Sequence, residues 1–368
     1  MSCDFYQLAN PGVRDLTPYE PGKPIDELER ELGITGSIKL ASNENPLGAS
    51  PQASEAARAA LSELSRYPDG AGFRLKAALA RKFALDQRRL VLGAGSSDLL
   101  RLAIEAFVCA GDQVVISQYA FAMYAIYAQA AQAERIVVPA RDWGHDLDAM
   151  AAAVTDRTRM LFIANPNNPT GTWVGQADLL RLLKRLPQQV LVVLDEAYAE
   201  YIDQPDYPNG MALGLEFPNL IVMRTFSKAY GLAALRVGYA IADPATADLM
   251  NRIREPFNVN SIALAAAEAA LADEAHLQRS KAVNQQGLVQ LREAAERLGL
   301  RAIPSVGNFI AIDMGRVALP IYEALLRKGL IVRPLAGYGM PNHLRVTAST
   351  EAENSRFIKA LQEVLEAG

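Results

Sequence analysis

Residues 190–198 read VLVVLDEAY: five apolar positions in an unbroken run, closed by an acid. A strand with one face in water alternates apolar and polar residues, so an unbroken run marks a strand buried on both faces, as in a parallel sheet covered by helices. The same kind of run recurs at RLVLGAG (89–95), QVVIS (113–117), RIVVP (135–139), RMLFIAN (159–165) and LIVMRT (220–225), with helical patterns between. The implied fold is α/β, a mixed, mostly parallel sheet flanked by helices. Beyond residue 255 the pattern changes to long helical segments over 261–299, followed by NFIAIDM, a further helix, GLIVRP and HLRVTA. That reads as a smaller α+β domain. The expected layout is an N-terminal arm over 1–30, a large domain over 51–255, and a small domain built from 31–50 and 256–368. The arm carries four prolines and reads as extended up to the helical pattern DELERELG.

Composition narrows the function classes. With 368 residues, half of them hydrophobic, the chain can bury a large core, and its net charge of −4 gives no electrostatic footprint for nucleic acid. The start, MSCDFYQLANPGVRDL, lacks the basic-then-apolar order of a secretory signal. No apolar run reaches the roughly 18 to 20 residues of a membrane helix. Cys3 and Cys109 form no C-x-x-C pair, and His145, His276 and His343 are scattered, so a reducing cytoplasm is expected and a metal site is not.

In open α/β sheets ligands gather at the carboxyl ends of strands, where four stretches fall. GAGSSDLL (93–100) follows a strand and opens a helix. It lacks the third glycine of a dinucleotide fingerprint, and Gly95, Ser96 and Ser97 serve either as an ordinary cap or as an anion site of free N–H groups and hydroxyls. NPNNPTG (165–171) is a proline-bracketed turn that leaves Asn168 as an amide donor. Asp195 is either an acid emerging into solvent or the partner of a positive group, with Tyr198 three residues on. In TFSKAYGLAALRVGY (225–239), Lys228 is either a solvated charge or, among small apolar neighbours, a desolvated amine able to attack an aldehyde. Ser227 and Arg236 add donors for a phosphate. A phosphate, an aldehyde and a ring that wants an acid are combined in pyridoxal phosphate.

With these motifs in this order, and with the late LRVT, the chain resembles the fold type I, aspartate aminotransferase-like family of pyridoxal phosphate enzymes along nearly its whole length. PYEPGKPIDELERELG (18–33), KLASNENPLG (39–48) and RYPDG (66–70) are similar to its histidinol-phosphate aminotransferase branch. The resemblance implies that Lys228 bonds the cofactor and carries the substrate proton. Asp195 would keep the pyridine nitrogen protonated, with Asn168 and Tyr198 on the ring's phenolic oxygen. Ser96, Ser97, Ser227 and Arg236 would hold the phosphate, joined by Tyr67 from the second subunit of a homodimer. Phe121, in SQYAFAMY (117–124), is expected to stack on the ring, with Tyr119 as its rival; the proline usual in that segment is missing. Arg345 would bind the substrate phosphate in one half-reaction and the carboxylate of 2-oxoglutarate in the other, helped by Arg333, Tyr19 and Asn43.

The implied activity is a cytoplasmic transamination of L-histidinol phosphate with 2-oxoglutarate in histidine synthesis. Three other functions share the motifs: an aromatic aminotransferase, a phosphothreonine decarboxylase, and a regulator that keeps the fold as a sensor. The regulator would need a DNA-binding region, and too few residues precede NENP for a winged helix.

Overall fold

The computed structural model describes residues 3–367. Its large sheet has seven strands in the spatial order Leu90–Gly93, Gly238–Ile241, Leu220–Thr225, Leu191–Asp195, Thr158–Ala164, Gln113–Ser117 and Glu134–Val138. All run parallel except Gly238–Ile241, which is antiparallel to both of its neighbours. The apolar run that ends at Asp195 is a central strand, with Val192, Val193 and Leu194 fully buried. Helices supply the cover such a strand requires on both faces. Gln176–Arg185, for example, turns Leu179, Leu182 and Leu183 inward and leaves its charges outside, and each large apolar side chain so buried contributes about 1.5–3 kcal/mol.

The reversed strand Gly238–Ile241 begins at the last two residues of TFSKAYGLAALRVGY and was not recognised in the sequence. Its direction has a consequence: its beginning lies beside the carboxyl ends of the others, which places Arg236 among them. A second sheet of four strands is antiparallel, in the order Arg333–Pro334, His343–Thr347, Phe309–Asp313 and Arg301–Ile303. Ile38–Lys39 pairs in parallel with Leu330–Ile331, tying the segment before NENP to the apolar cluster of the four-stranded sheet.

Helix Ser261–Ala272 packs on the helices Pro51–Ala60 and Phe73–Phe83 of the large-sheet body and shares their apolar cluster. The boundary expected at 255/256 therefore precedes a helix that is packed on the large-sheet side. The arm is less extended than its prolines suggested. Phe5–Leu8 and Pro11–Arg14 are short helices, the first capped by Asp4 and the second by Asn10, and the stretch then runs without regular structure into the helix Ile25–Leu32. No helix among the described residues is long and apolar enough to cross a membrane.

Candidate active site

A cavity of about 200 Å³ opens at the carboxyl ends of the large sheet, between it and the four-stranded sheet that carries Arg333 and Arg345. Every residue singled out in the sequence for a site lines it except Tyr67, the stacking rival Tyr119, and Gly95, which sits just behind Ser96. Asp195, the last residue of its strand, stands at the floor and is nearly inaccessible. Its Oδ2 accepts a hydrogen bond from the Tyr124 hydroxyl at 2.8 Å, and its Oδ1 accepts from the Ala197 N–H at 3.2 Å. Burial pushes the Asp195 carboxyl up to about 6, against the opposing pull of the Tyr124 hydrogen bond. A carboxylate in that position is stabilised by a ligand that brings a positive charge.

Lys228 follows the neighbouring strand Leu220–Thr225 and projects into the same cavity, where its Nζ donates to Ser42 O at 2.9 Å and lies 5.8 Å from the centre of the Tyr198 ring. Burial, aided by the guanidinium of Arg345, brings its amine down to about 7. The neutral amine is thus abundant near neutral pH, as nucleophilic attack and proton transfer both require. The Tyr198 hydroxyl accepts from Asn43 Nδ2 at 2.9 Å, and burial pushes its pKa well above that of an ordinary phenol.

One end of the cavity is built for an anion. The 12-residue helix Ser96–Phe107 begins after Gly95 without a side-chain cap, which leaves its first N–H groups free toward the cavity. Gly95 has φ +85°, and a Cβ on it would lie 2.5 Å from Arg236 Nη2. Only glycine therefore lets the guanidinium sit against this helix start. Arg236 Nη1 donates to Ser227 Oγ at 3.2 Å, and Arg236 itself adopts a left-handed backbone with φ +55°, a conformation that costs on the order of 1–3 kcal/mol and is characteristic of sites where side-chain placement decides.

The opposite end is cationic as well. Arg345 is buried in the strand His343–Thr347; its Nη1 donates to Asn168 Oδ1 at 2.5 Å and its Nη2 to Ala41 O at 2.6 Å, while its Nε has no partner. The guanidinium of Arg333 lies 5.5 Å from the centre of the Tyr19 ring, and Tyr19 meets Phe121 edge-on at 6.2 Å. Of the two aromatic candidates for stacking, Phe121 borders the cavity, whereas Tyr119 packs against Trp143 and a small cluster around Leu335. Tyr67 is 82% exposed and stacked on Phe257 at 4.6 Å, pointing away from the cavity of its own chain.

Two features were not anticipated. Tyr124 had a usable signal: it lies three residues after Phe121, and the two line one side of a nascent helix. The other is a buried ion cluster behind Asp195, in which Arg224 donates through Nε and Nη2 to Glu196 Oε2 at 2.9 and 2.8 Å, with Glu200 3.7 Å away. Nothing in the spacing of those charges marks them as partners.

A buried acid on a floor, an amine whose charged form burial disfavours and a glycine-bounded anion cradle make a donor set that fits pyridoxal phosphate. Such a fold with such a site defines a pyridoxal phosphate-dependent transaminase. The chain matches the family "Aminotransferase class I and II" over residues 35–361, and it belongs to that family. Its resemblance narrows further to histidinol-phosphate aminotransferases. The Pseudomonas fluorescens (strain Pf0-1) protein "Histidinol-phosphate aminotransferase 2" is 56% identical over 370 residues, covering all of both chains. Its Pseudomonas aeruginosa namesake is 57% identical over 364 residues, 98% of this chain and 99% of that one. The crystal structure of histidinol-phosphate aminotransferase from Sinorhizobium meliloti in complex with pyridoxal-5'-phosphate superimposes with a TM-score of 0.89 at 31% identity, covering 98% of each chain.

Proposed function

We propose that the chain transfers the amino group between L-histidinol phosphate and 2-oxoglutarate, giving imidazole-acetol phosphate and glutamate, as a step of histidine synthesis. The observation that carries this reading is the shape of one cavity: an amine, an acid and an anion cradle at one end, and a second cationic end at Arg345 and Arg333 that suits a substrate bearing its own anionic group. The relatives that match over the full length point to the same substrate.

Pyridoxal phosphate, held at Lys228, supplies an aldehyde that accepts the amino group and a protonated ring that draws electrons from the amine-bearing carbon. The remaining work falls to the chain. Gly95, Ser96, Ser97, Ser227 and Arg236 would anchor its phosphate, and Asp195 would pair with its ring nitrogen. Asn168 and Tyr198 would hydrogen-bond its phenolic oxygen, and Phe121 would supply the stacking face. Lys228, once free, removes the proton from the amine-bearing carbon through its neutral Nζ. Arg345 binds the substrate phosphate and, in the reverse half-reaction, the distal carboxylate, as a planar fork suited to either anion. Arg333, Tyr19 and Asn43 complete that wall.

The working unit is a homodimer in which Tyr67 of each subunit serves the other's phosphate site. Exposed Leu61, Leu64, Tyr67, Phe73 and Phe257 support this as large apolar side chains left in water, with Tyr67 and Phe257 stacked on each other. Its place is the cytoplasm, where the two free and exposed cysteines stay reduced.

The test is the visible absorbance of the cofactor-loaded protein, titrated with L-histidinol phosphate and separately with L-phenylalanine in the absence of any acceptor. The band should be lost at far lower concentrations of histidinol phosphate. Preferential bleaching by phenylalanine would move the substrate to aromatic amino acids, and the absence of any band after supplying pyridoxal phosphate would overturn the role of Lys228.

A further inference from the structure

The side chain of Tyr124 does something its packing alone does not require. Its ring is fully buried, stacked on Phe162 at 4.7 Å and 11°, and met edge-on by Phe121 at 5.8 Å and 87°. These contacts fix the direction of the hydroxyl. Phenylalanine would satisfy them equally, and a buried hydroxyl costs free energy unless it is bonded. The hydroxyl is spent on Asp195, donating to Oδ2 at 2.8 Å. Asp195 Oδ1 accepts the more distant Ala197 N–H, at 3.2 Å, and remains available to a ligand in the cavity.

We propose that Tyr124 is a positioning residue that sets where the proton between Asp195 and the cofactor's ring nitrogen resides, holding it on the nitrogen. The inference rests on the assignment of Asp195 to that nitrogen. A hydrogen bond donated to a carboxylate stabilises its charged form and makes it a weaker base. With Oδ2 bonded to Tyr124, a proton lying between Oδ1 and the ring nitrogen stays on the nitrogen, and the ring keeps its full electron-withdrawing charge. The other groups that bear on Asp195 divide. Glu196, the next residue, favours protonation of Asp195, while the Ala197 N–H and Lys228 oppose it. Burial first, then Asp195 itself and, less, Tyr198 and Tyr338 keep the proton on the Tyr124 phenol. With Glu196 buried at its side, Asp195 would become the stronger base if the Tyr124 donor were removed.

The experiment is ¹⁵N NMR of the full-length enzyme reconstituted with pyridoxal phosphate labelled at the ring nitrogen, where protonated and neutral pyridine resonate in separate regions. Tyr124→Phe keeps the ring packing. Its resonance should move toward the neutral position, corresponding to a roughly ten- to hundred-fold shift in the proton's distribution, the size expected for losing one hydrogen bond to a charged group. The visible band should persist and kcat should fall. An unchanged resonance, with only a lower melting temperature, would overturn the proposal and leave Tyr124 a packing residue. If Tyr124→Phe does not retain cofactor, a fluorinated, more acidic tyrosine placed at position 124 decides. It should keep the nitrogen protonated to a higher pH than in the wild type, and an unchanged midpoint of that titration would overturn the proposal. A wild-type protein with no bound-cofactor resonance would instead refute the reading of Lys228 and Asp195 beneath it.

Discussion

The two ends of the cavity are built differently. At the sheet end each functional group is held by covalent neighbours on a strand terminus or by short hydrogen bonds: Asp195 by Tyr124, Lys228 by Ser42 O, Arg236 by Ser227. At the other end Arg345 is held firmly too, donating to Asn168 Oδ1 at 2.5 Å and to Ala41 O at 2.6 Å with only its Nε unpartnered. Arg333, however, rests on a softer support, the ring of Tyr19 near the start of the chain. The first end suits a resident group whose position must not vary. The second suits a guest that changes between half-reactions. Losses at the sheet end should therefore appear in chemistry and cofactor retention, and losses at the other end in substrate affinity.

The largest effect is expected at Lys228. Lys228→Ala should fold and hold the cofactor only non-covalently, with turnover lower by at least about a thousand-fold, as for removal of a nucleophile that is also the proton carrier. Near-normal turnover would remove Lys228 from the chemistry. At the opposite end, Arg345→Lys keeps a charge but loses the fork, and should raise KM for the phosphorylated substrate by about a hundred-fold, the order of two charge-assisted hydrogen bonds. The visible band should be unaffected. A lost band with unchanged KM would invert the division of labour. Gly95→Ala should weaken cofactor binding by about ten- to a hundred-fold, since its Cβ would displace the Arg236 guanidinium and its φ of +85° strains any other residue. Equilibrium dialysis against pyridoxal phosphate would show it; unchanged affinity would take the phosphate away from this helix start.

The same contrast explains what the sequence made legible. Strand ends advertise themselves, because an unbroken apolar run that stops at Asp195 or at Thr225 locates both the sheet and the edge of a site. Tyr19 and Asn43 lie near the start of the chain and Arg333 and Arg345 near its end, and neither periodicity nor spacing brings the two pairs together; only the resemblance to a family placed them in one pocket. Arg224 and Glu196 are 28 residues apart, on adjacent strands whose register the sequence does not specify. Tyr124 was hidden for another reason. An aromatic at the start of a helix reads as core, and its hydroxyl has meaning only once Asp195 is known to lie opposite.

Burial also gives the empty protein a pH dependence. Lys228 has a folded value near 7, below its ordinary 10.5. The unfolded chain therefore binds the proton more readily, and the stability contributed by this side chain is fully present above 10.5 and is lost as pH falls toward 7. Asp195, raised to about 6 from 3.8, works in the other direction: its contribution is present below 3.8 and is lost as pH rises through 6. The melting temperature of cofactor-free wild type should thus drop relative to Lys228→Met as pH is lowered from 10 to 7, by a few degrees. Parallel curves would mean that the amine is solvated.

The smallest effect is expected at Tyr19, where the two ends meet. Its ring carries Arg333 on one side, at 5.5 Å, and touches Phe121 on the other, at 6.2 Å. At 40% exposure the cation–π contact is only partly desolvated, which limits it to about 0.5–1 kcal/mol. Tyr19→Ala should accordingly raise KM for histidinol phosphate by a factor of roughly two to five, with kcat and the visible band unchanged, and Tyr19→Phe, which retains the ring face, should restore most of the loss. A fall in kcat at constant KM would mean that the arm steadies Phe121 over the cofactor rather than Arg333 over the substrate, and would draw Tyr19 into the rigid end of the site.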